Sequence, residues 1–210
     1  APLIKGDKLS AEGLTEPRGG SDFFGTTTRA EKKGNKWVIN GEKRFIAGGK
    51  VADFYLIYAK TDPKGPGHKA ITPFLIEKEM GVRVEEVYSL LGFRGMGTAR
   101  IVFKDVEVPD KCRVGKINGG ATVFNHMMVP ERLTSAAGAI GTARTALEIA
   151  IKYSTKRKAF GMPIRTFQGL SFKIAECVAK LDAARALVYA AAKAADAANK
   201  DPYIDPRRLV

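Results

Sequence analysis

The stretch Leu14-Thr15-Glu16-Pro17-Arg18-Gly19-Gly20-Ser21-Asp22 gathers more potential chemistry than its surroundings. Two adjacent glycines let the backbone approach a ligand, Thr15 and Ser21 offer hydroxyls, and successive N–H groups in such a loop can form an anion-binding nest. The same composition suits an ordinary glycine-rich connection, and composition alone does not separate the two readings. Arg18 adds a cation beside the glycines, placed either to meet a ligand phosphate or to lie in solvent.

A second candidate is Pro130-Glu131-Arg132, read as the start of a long helix. A carboxylate there is either a base or an answer to the helix dipole, worth about 0.3–1 kcal/mol. Lys156-Arg157-Lys158-Ala159-Phe160-Gly161 occupies the other end of that helix, where cations again suit the dipole. Cys112 and Cys177 lie far apart without a CxxC, and His68 and His126 are isolated, so free thiols and no metal site are expected. No GxxxxGK[ST] is present and no GxGxxG follows a strand, which argues against P-loop and Rossmann nucleotide sites.

The 210 residues carry 35 Lys and Arg against 22 Asp and Glu, a formal charge of +13. Such a balance favours polyanions: nucleic acid, anionic membrane or phosphate-rich ligands. The cations are dispersed, from Lys32-Lys33 to Arg207-Arg208, with no basic run, so a nucleic-acid-binding module is the weaker reading. Hydrophobic residues make up 45%, no apolar run approaches membrane-spanning length, and the opening residues lack a secretory core. These features lead to the expectation of a soluble cytoplasmic protein.

The elements that must position these residues change character near residue 128. Residues 1–127 contain short β-rich runs between breakers, and 128–210 long Ala-rich stretches. Asn40-Gly41, flanked by Lys36 to Ile39 and Lys43 to Ile46, predicts a hairpin with a type I′ turn. Further strands are predicted at 54–60, 71–77, 82–87 and 100–103. After Pro130, two long helices are expected, joined at Phe160-Gly161-Met162-Pro163, with Gly161 ending one and Pro163 opening the other. Phe167, Leu170, Ile174, Val178 and Leu181 form an apolar stripe on the second. The expected fold is α+β: an antiparallel β-barrel or sandwich followed by an incomplete up-down helical bundle.

Thr15 to Asp22, Asn40-Gly41-Glu42-Lys43, Leu91-Gly92-Phe93-Arg94-Gly95, Phe103 to Pro109, Glu131-Arg132 and Arg157-Lys158-Ala159-Phe160-Gly161 with Gln168 resemble, in order and spacing, the acyl-CoA dehydrogenase family of flavoenzymes. The resemblance covers nearly the whole chain. It implies a middle β-domain and the first two helices of the C-terminal bundle, with an N-terminal helical domain and further bundle helices belonging to a protein about twice as long. It also implies FAD as cofactor, an acyl-CoA substrate, a place in fatty acid metabolism, an electron-transfer flavoprotein as acceptor, and a homodimer or homotetramer.

Carried over by position, Glu12 to Ser21, with Leu14, Thr15, Gly20 and Ser21, resembles the flavin-contacting loop, and Ser21 also the substrate-contacting position. Phe45-Ile46-Ala47 resembles the strand stacked on the flavin, but Ala47 lacks the hydroxyl usual there. Arg18 stands where the family usually has a small residue. Arg132 resembles an acyl-CoA contact, and Arg157, Phe160 and Gln168 the group reaching the FAD of a neighbouring subunit. Catalysis in the family pairs removal of the α-proton by a carboxylate with departure of the β-hydrogen as hydride to the flavin. Glu131 stands where isovaleryl-CoA and long-chain acyl-CoA dehydrogenases place that base; most members take it from a position beyond Val210. An acyl-CoA oxidase remains the nearest alternative, and the 210 residues alone are not expected to suffice for activity.

Overall fold

In the computed structural model, which describes residues 2–200 and the side chains of 2–198, β3 runs unbroken from Lys36 to Ile46. Asn40-Gly41 is therefore no turn, contrary to the sequence expectation. The hairpin lies one strand earlier, where β2 (Arg29–Lys33) pairs antiparallel with β3 and Lys33 faces Lys36 across Gly34-Asn35. Gly34 holds φ +62°, as a type II′ turn requires at its first central position. Asn40 instead seats a bulge on β7 (Ala99–Pro109), because Ile39 pairs with Val106 and Gly41 with Phe103, leaving two β7 residues opposite one. Asn40 Oδ1 accepts from the Asp105 N–H at 2.9 Å, while its Nδ2 donates to Asp105 Oδ1 at 3.0 Å. The predicted strand 100–103 extends to Pro109 because this bulge interrupts its alternation without ending its pairing.

The remaining strands of this unit are β1 (Ser10–Gly13), β4 (Phe54–Lys60), β5 (Ile71–Glu77) and β6 (Arg83–Val87). The sheet order is β1-β4-β2-β3-β7-β6, with β5 also paired to β4. Most pairs are antiparallel, but β1 and β2 both run parallel to β4. β5 covers one edge of β4 from end to end, while the other edge is divided: β1 lies beside Phe54 to Ile57, and Arg29 beside Lys60. The chain leaves this edge at Gly13 and returns to it at Arg29, so residues 14–28 form an excursion from the gap. The core beneath is apolar, with Ile39, Tyr55, Ile57, Phe74, Ile76, Ile101 and Val108 fully buried.

A second unit begins after Phe124. The short helix α1 (Pro2–Lys5) precedes β1, and helix α2 spans Gly120–Lys156, starting ten residues earlier than the Pro130 start expected. Pro130 sits inside it, giving up only the N–H that would reach the His126 carbonyl. Thr134 Oγ1 donates to the carbonyls of Pro130 and Glu131 at 2.9 and 3.0 Å. The junction to α3 (Gln168–Lys200) is a two-stranded hairpin, β8 (Lys158–Ala159) and β9 (Met162–Pro163), so Gly161 and Pro163 bound neither helix. Phe160 and Gly161 hold φ +52° and +79°, the paired positive values of a type I′ turn. Along the expected stripe of α3, Leu170 and Val178 are exposed and Phe167, Ile174 and Leu181 half-buried. No described helix is long and apolar enough to cross a membrane; Arg207-Arg208 lies outside the described residues.

Candidate functional site

Glu16 and Lys43 organise the excursion between β1 and β2. Lys43 is 0% exposed and Glu16 4%, and Lys43 Nζ donates to Glu16 Oε1 at 2.9 Å, to Thr26 Oγ1 at 3.0 Å and to the Leu14 carbonyl at 3.4 Å. The Glu16 carboxylate also accepts from the Thr27 N–H and hydroxyl, both at 2.6 Å, from the Thr28 N–H at 2.9 Å, and from the Thr26 hydroxyl. Burial alone would raise the Glu16 carboxyl, but the Lys43 charge and the hydroxyl and ammonium donors outweigh it and hold the group well below the usual carboxylate range. Burial pulls the Lys43 ammonium down from its ordinary value, with the Glu16 charge opposing. Leu14 and Thr28, at the two ends of the excursion, are thus fastened to one inward point of β3.

Above this point the loop turns sharply. Glu16 and Gly19 exchange backbone hydrogen bonds of 3.2 and 3.0 Å around Pro17-Arg18. Gly20 and Ser21 are exposed and make no hydrogen bond among the described residues; a Cβ at Gly20 would come within 3.2 Å of Thr15 Oγ1. Arg18 is engaged within the loop itself. Its guanidinium binds the Asp22 side chain and carbonyl, both at 2.7 Å, which closes the loop on itself. Beyond Ser21, Phe23 is buried and stacks on Phe124 with centroids 4.0 Å apart, anchoring the return of the chain.

The Arg44 N–H donates to the Thr15 carbonyl at 2.8 Å, joining the loop to the end of β3. There a second bulge sets Arg44 and Phe45 opposite Arg100 alone, since Lys43 pairs with Ile101 and Ile46 with Ala99. Phe45 takes φ +55° in this bulge, an unusual state for a bulky residue. Phe45 is 58% exposed, and its ring lies stacked on Tyr88 with centroids 4.6 Å apart. Ala47 is also exposed, whereas Ile46 is buried in the core and offers an outside ligand only its backbone. Arg100 and Arg44 both bind Glu42, at 2.6 and 2.7 Å, bracing the bulge from the side.

The helical unit holds the other residues predicted from sequence. Glu131 and Arg132 are exposed on α2 about three turns from its start, so the dipole account of Glu131 does not hold, because dipole effects fade within the first turn. Arg157, Phe160 and Gln168 gather at the junction of α2 and α3, where the Arg157 carbonyl accepts from Ile164 N–H at 2.9 Å. Phe160 is 94% exposed at the hairpin tip, its ring edge-on to Phe167. At about 1.5 Å of rise per residue, α2 separates Glu131 from Lys156 by roughly 38 Å.

The family model for the acyl-CoA dehydrogenase middle domain matches residues 11–106, and that for the acyl-CoA dehydrogenase C-terminal domain matches 118–207. This chain belongs to the acyl-CoA dehydrogenase family. The caffeyl-CoA reductase-Etf complex subunit CarC of Acetobacterium woodii is 40% identical over 196 residues, covering 93% of this chain and 52% of CarC. Butyryl-CoA dehydrogenase from Megasphaera elsdenii superposes with a TM-score of 0.86 at 38% identity, covering 90% of this chain and 50% of that one. A solved FAD complex of PigA gives a TM-score of 0.89 at 32% identity, covering 93% and 51%. The chain spans about half the length of the relatives it matches.

For an acyl-CoA dehydrogenase family chain, two features escaped sequence reasoning. Glu16 and Lys43 lie inside motifs that assign them no role, and Tyr88 lies outside every motif. Lys43 was detectable: Ile39, Gly41 and Lys43 share one face of β3, so a lysine there needed an inward acid. Nothing local to Tyr88 announces its stacking, which depends on pairing through β7.

Proposed function

We propose that the protein catalyses FAD-dependent α,β-dehydrogenation of an acyl-CoA thioester to a trans-2-enoyl-CoA, passing the electrons to an electron-transfer flavoprotein. The observation that carries this reading is the Thr15 to Arg44 hydrogen bond, which sets a loop of unengaged donors beside an outward-turned aromatic ring. The residues fit the group: Gly20 and Ser21 with the Thr15 and Ser21 hydroxyls suit its polar edge and pyrophosphate, and Phe45 suits a flat ring. FAD, when bound, supplies the two-electron acceptor for the β-hydrogen.

The chain's own residues then divide the work. Glu131 accepts the α-proton on its carboxylate, and Arg132 holds the CoA-bearing substrate by charge. Leu14, Thr15, Gly20, Ser21 and the Phe45 to Ala47 segment bind and orient the cofactor; Ala47 contributes backbone only, since it has no hydroxyl. Arg157, Phe160 and Gln168, some 38 Å along α2 from Glu131, serve the cofactor of a second copy, which requires a homo-oligomer. Acceptance by an electron-transfer flavoprotein is supported by the CarC relative, a subunit of an Etf complex.

An absorption spectrum of the full-length protein tests the reading. Flavin bands that bleach on adding one of a panel of acyl-CoAs are expected, with reoxidation by electron-transfer flavoprotein faster than by air. Absence of flavin, or bands indifferent to every acyl-CoA, would overturn it.

A further inference from the structure

We propose that Lys43 is a positioning residue for the ligand carried by the 14–28 loop: through Glu16 and the Leu14 carbonyl, its buried ammonium sets that loop in register with Phe45, two residues further along the same strand. The inference rests on the reading that the loop and Phe45 receive FAD, and deepens it.

A buried lysine–glutamate pair is a poor device for stability alone. Desolvation offsets most of its Coulomb gain, and apolar residues of similar volume often serve as well. The contacts here instead serve placement. Lys43 touches the start of the loop at Leu14 and its end at Thr26, and Glu16 adds the amides of Thr27 and Thr28. The lysine stem runs over the end of β1, where a Cβ on Gly13 would lie 3.2 Å from its Cγ. Next to Lys43, the Arg44 N–H holds Thr15, and after that the bulge turns Phe45 outward. Three consecutive residues of β3 therefore grip the loop from inside, bind its backbone, and present the ring. Lys43 also neutralises Glu16, whose uncompensated charge on the same loop would repel an anionic ligand.

The test compares Lys43→Met and the double variant Glu16→Gln/Lys43→Met with wild type in the full-length protein. The double variant should keep a near-wild-type unfolding midpoint. Its Gly19 and Arg44 amides, bonded in the native loop to the Glu16 and Thr15 carbonyls, should exchange hydrogen at least about tenfold faster, while Ile57 and Ile101 amides do not change. FAD affinity should fall by at least about tenfold in Lys43→Met and less in the double variant, which leaves no buried charge. Should both lysine variants fail to fold, Thr26→Val removes only the hydroxyl bridging Lys43 and Glu16 and should accelerate the same two amides. Wild-type exchange at Gly19 and Arg44 in a folded variant would overturn the proposal. If wild-type protein takes no FAD, the functional reading fails alone, because the exchange comparison needs no ligand.

Discussion

Glu16 keeps its charge where burial opposes it, and the reason is first the Lys43 charge beside it and then the hydrogen bonds from Thr26, Thr27 and Lys43. Its folded-state pKa lies below the unfolded value of about 4.3. The sign follows: the stability it contributes is fully present above that unfolded value and is lost as pH falls below it toward the folded one. Glu16→Gln cannot titrate and leaves Lys43 buried without its partner charge, so it should be less stable than wild type at pH 7. As pH falls from 5 to 3 the gap should narrow by about 2 kcal/mol, read from urea midpoints. A gap that stays constant across that window would mean the carboxylate is not held ionised. At this scale the sequence named the loop and both charged residues, but pairing a lysine with an acid 27 residues earlier needed the fold. Arg18 shows the converse: its sequence leaves it between a ligand phosphate and solvent, and the fold pairs it with Asp22, four residues on.

At the scale of elements, the misplaced hairpin has a physical source. Asn40-Gly41 looks like a turn because both residue types tolerate positive φ, but here the left-handed residue is Asp105 (φ +51°) on the opposing bulged strand, and Asn40 only caps it with its side chain. Only pairing with β7 tells turn from bulge, and that pairing spans more than sixty residues. Gly41 holds φ +151°, and a Cβ there would lie 2.5 Å from Thr28 Oγ1 and 2.6 Å from its Cα. Thr28 in turn gives its amide to Glu16. Gly41→Ala should therefore cost about 3 kcal/mol or more, through a clash with backbone rather than through lost turn propensity. Equilibrium unfolding measures it, and a cost within about 0.5 kcal/mol, that of an ordinary surface change, would show that the bulge adapts. Strands 54–60 and 71–77 were read correctly, since they are dense in β-branched and aromatic residues and bounded by turn chemistry. The sequence places the start of α2 ten residues late because Pro130 resembles a helix opening, although a proline inside a long helix forfeits one hydrogen bond.

Across the whole molecule, the distribution of site residues bears on how many chains build one site. Composition puts the change from strands to helices near residue 128, whereas the last long strand ends at Pro109 and α2 begins at Gly120, since residues 120–127 carry no strong helix signal of their own. Composition could not report that α2 sets Glu131 some 38 Å from the junction that holds Arg157, Phe160 and Gln168, a distance no single cofactor contact bridges. If each site takes Glu131 from one subunit and Arg157 from another, two different inactive variants should rescue each other. In a mixed dimer of Glu131→Gln and Arg157→Ala subunits, one site holds both defects and the other holds neither. Random mixing by unfolding and reassociation should then restore about a quarter of wild-type turnover, since about half the dimers are mixed and each has one intact site. Sites built within single chains would stay inactive in any mixture. The yield of rescued turnover therefore measures the sharing of sites without reference to the size of the oligomer.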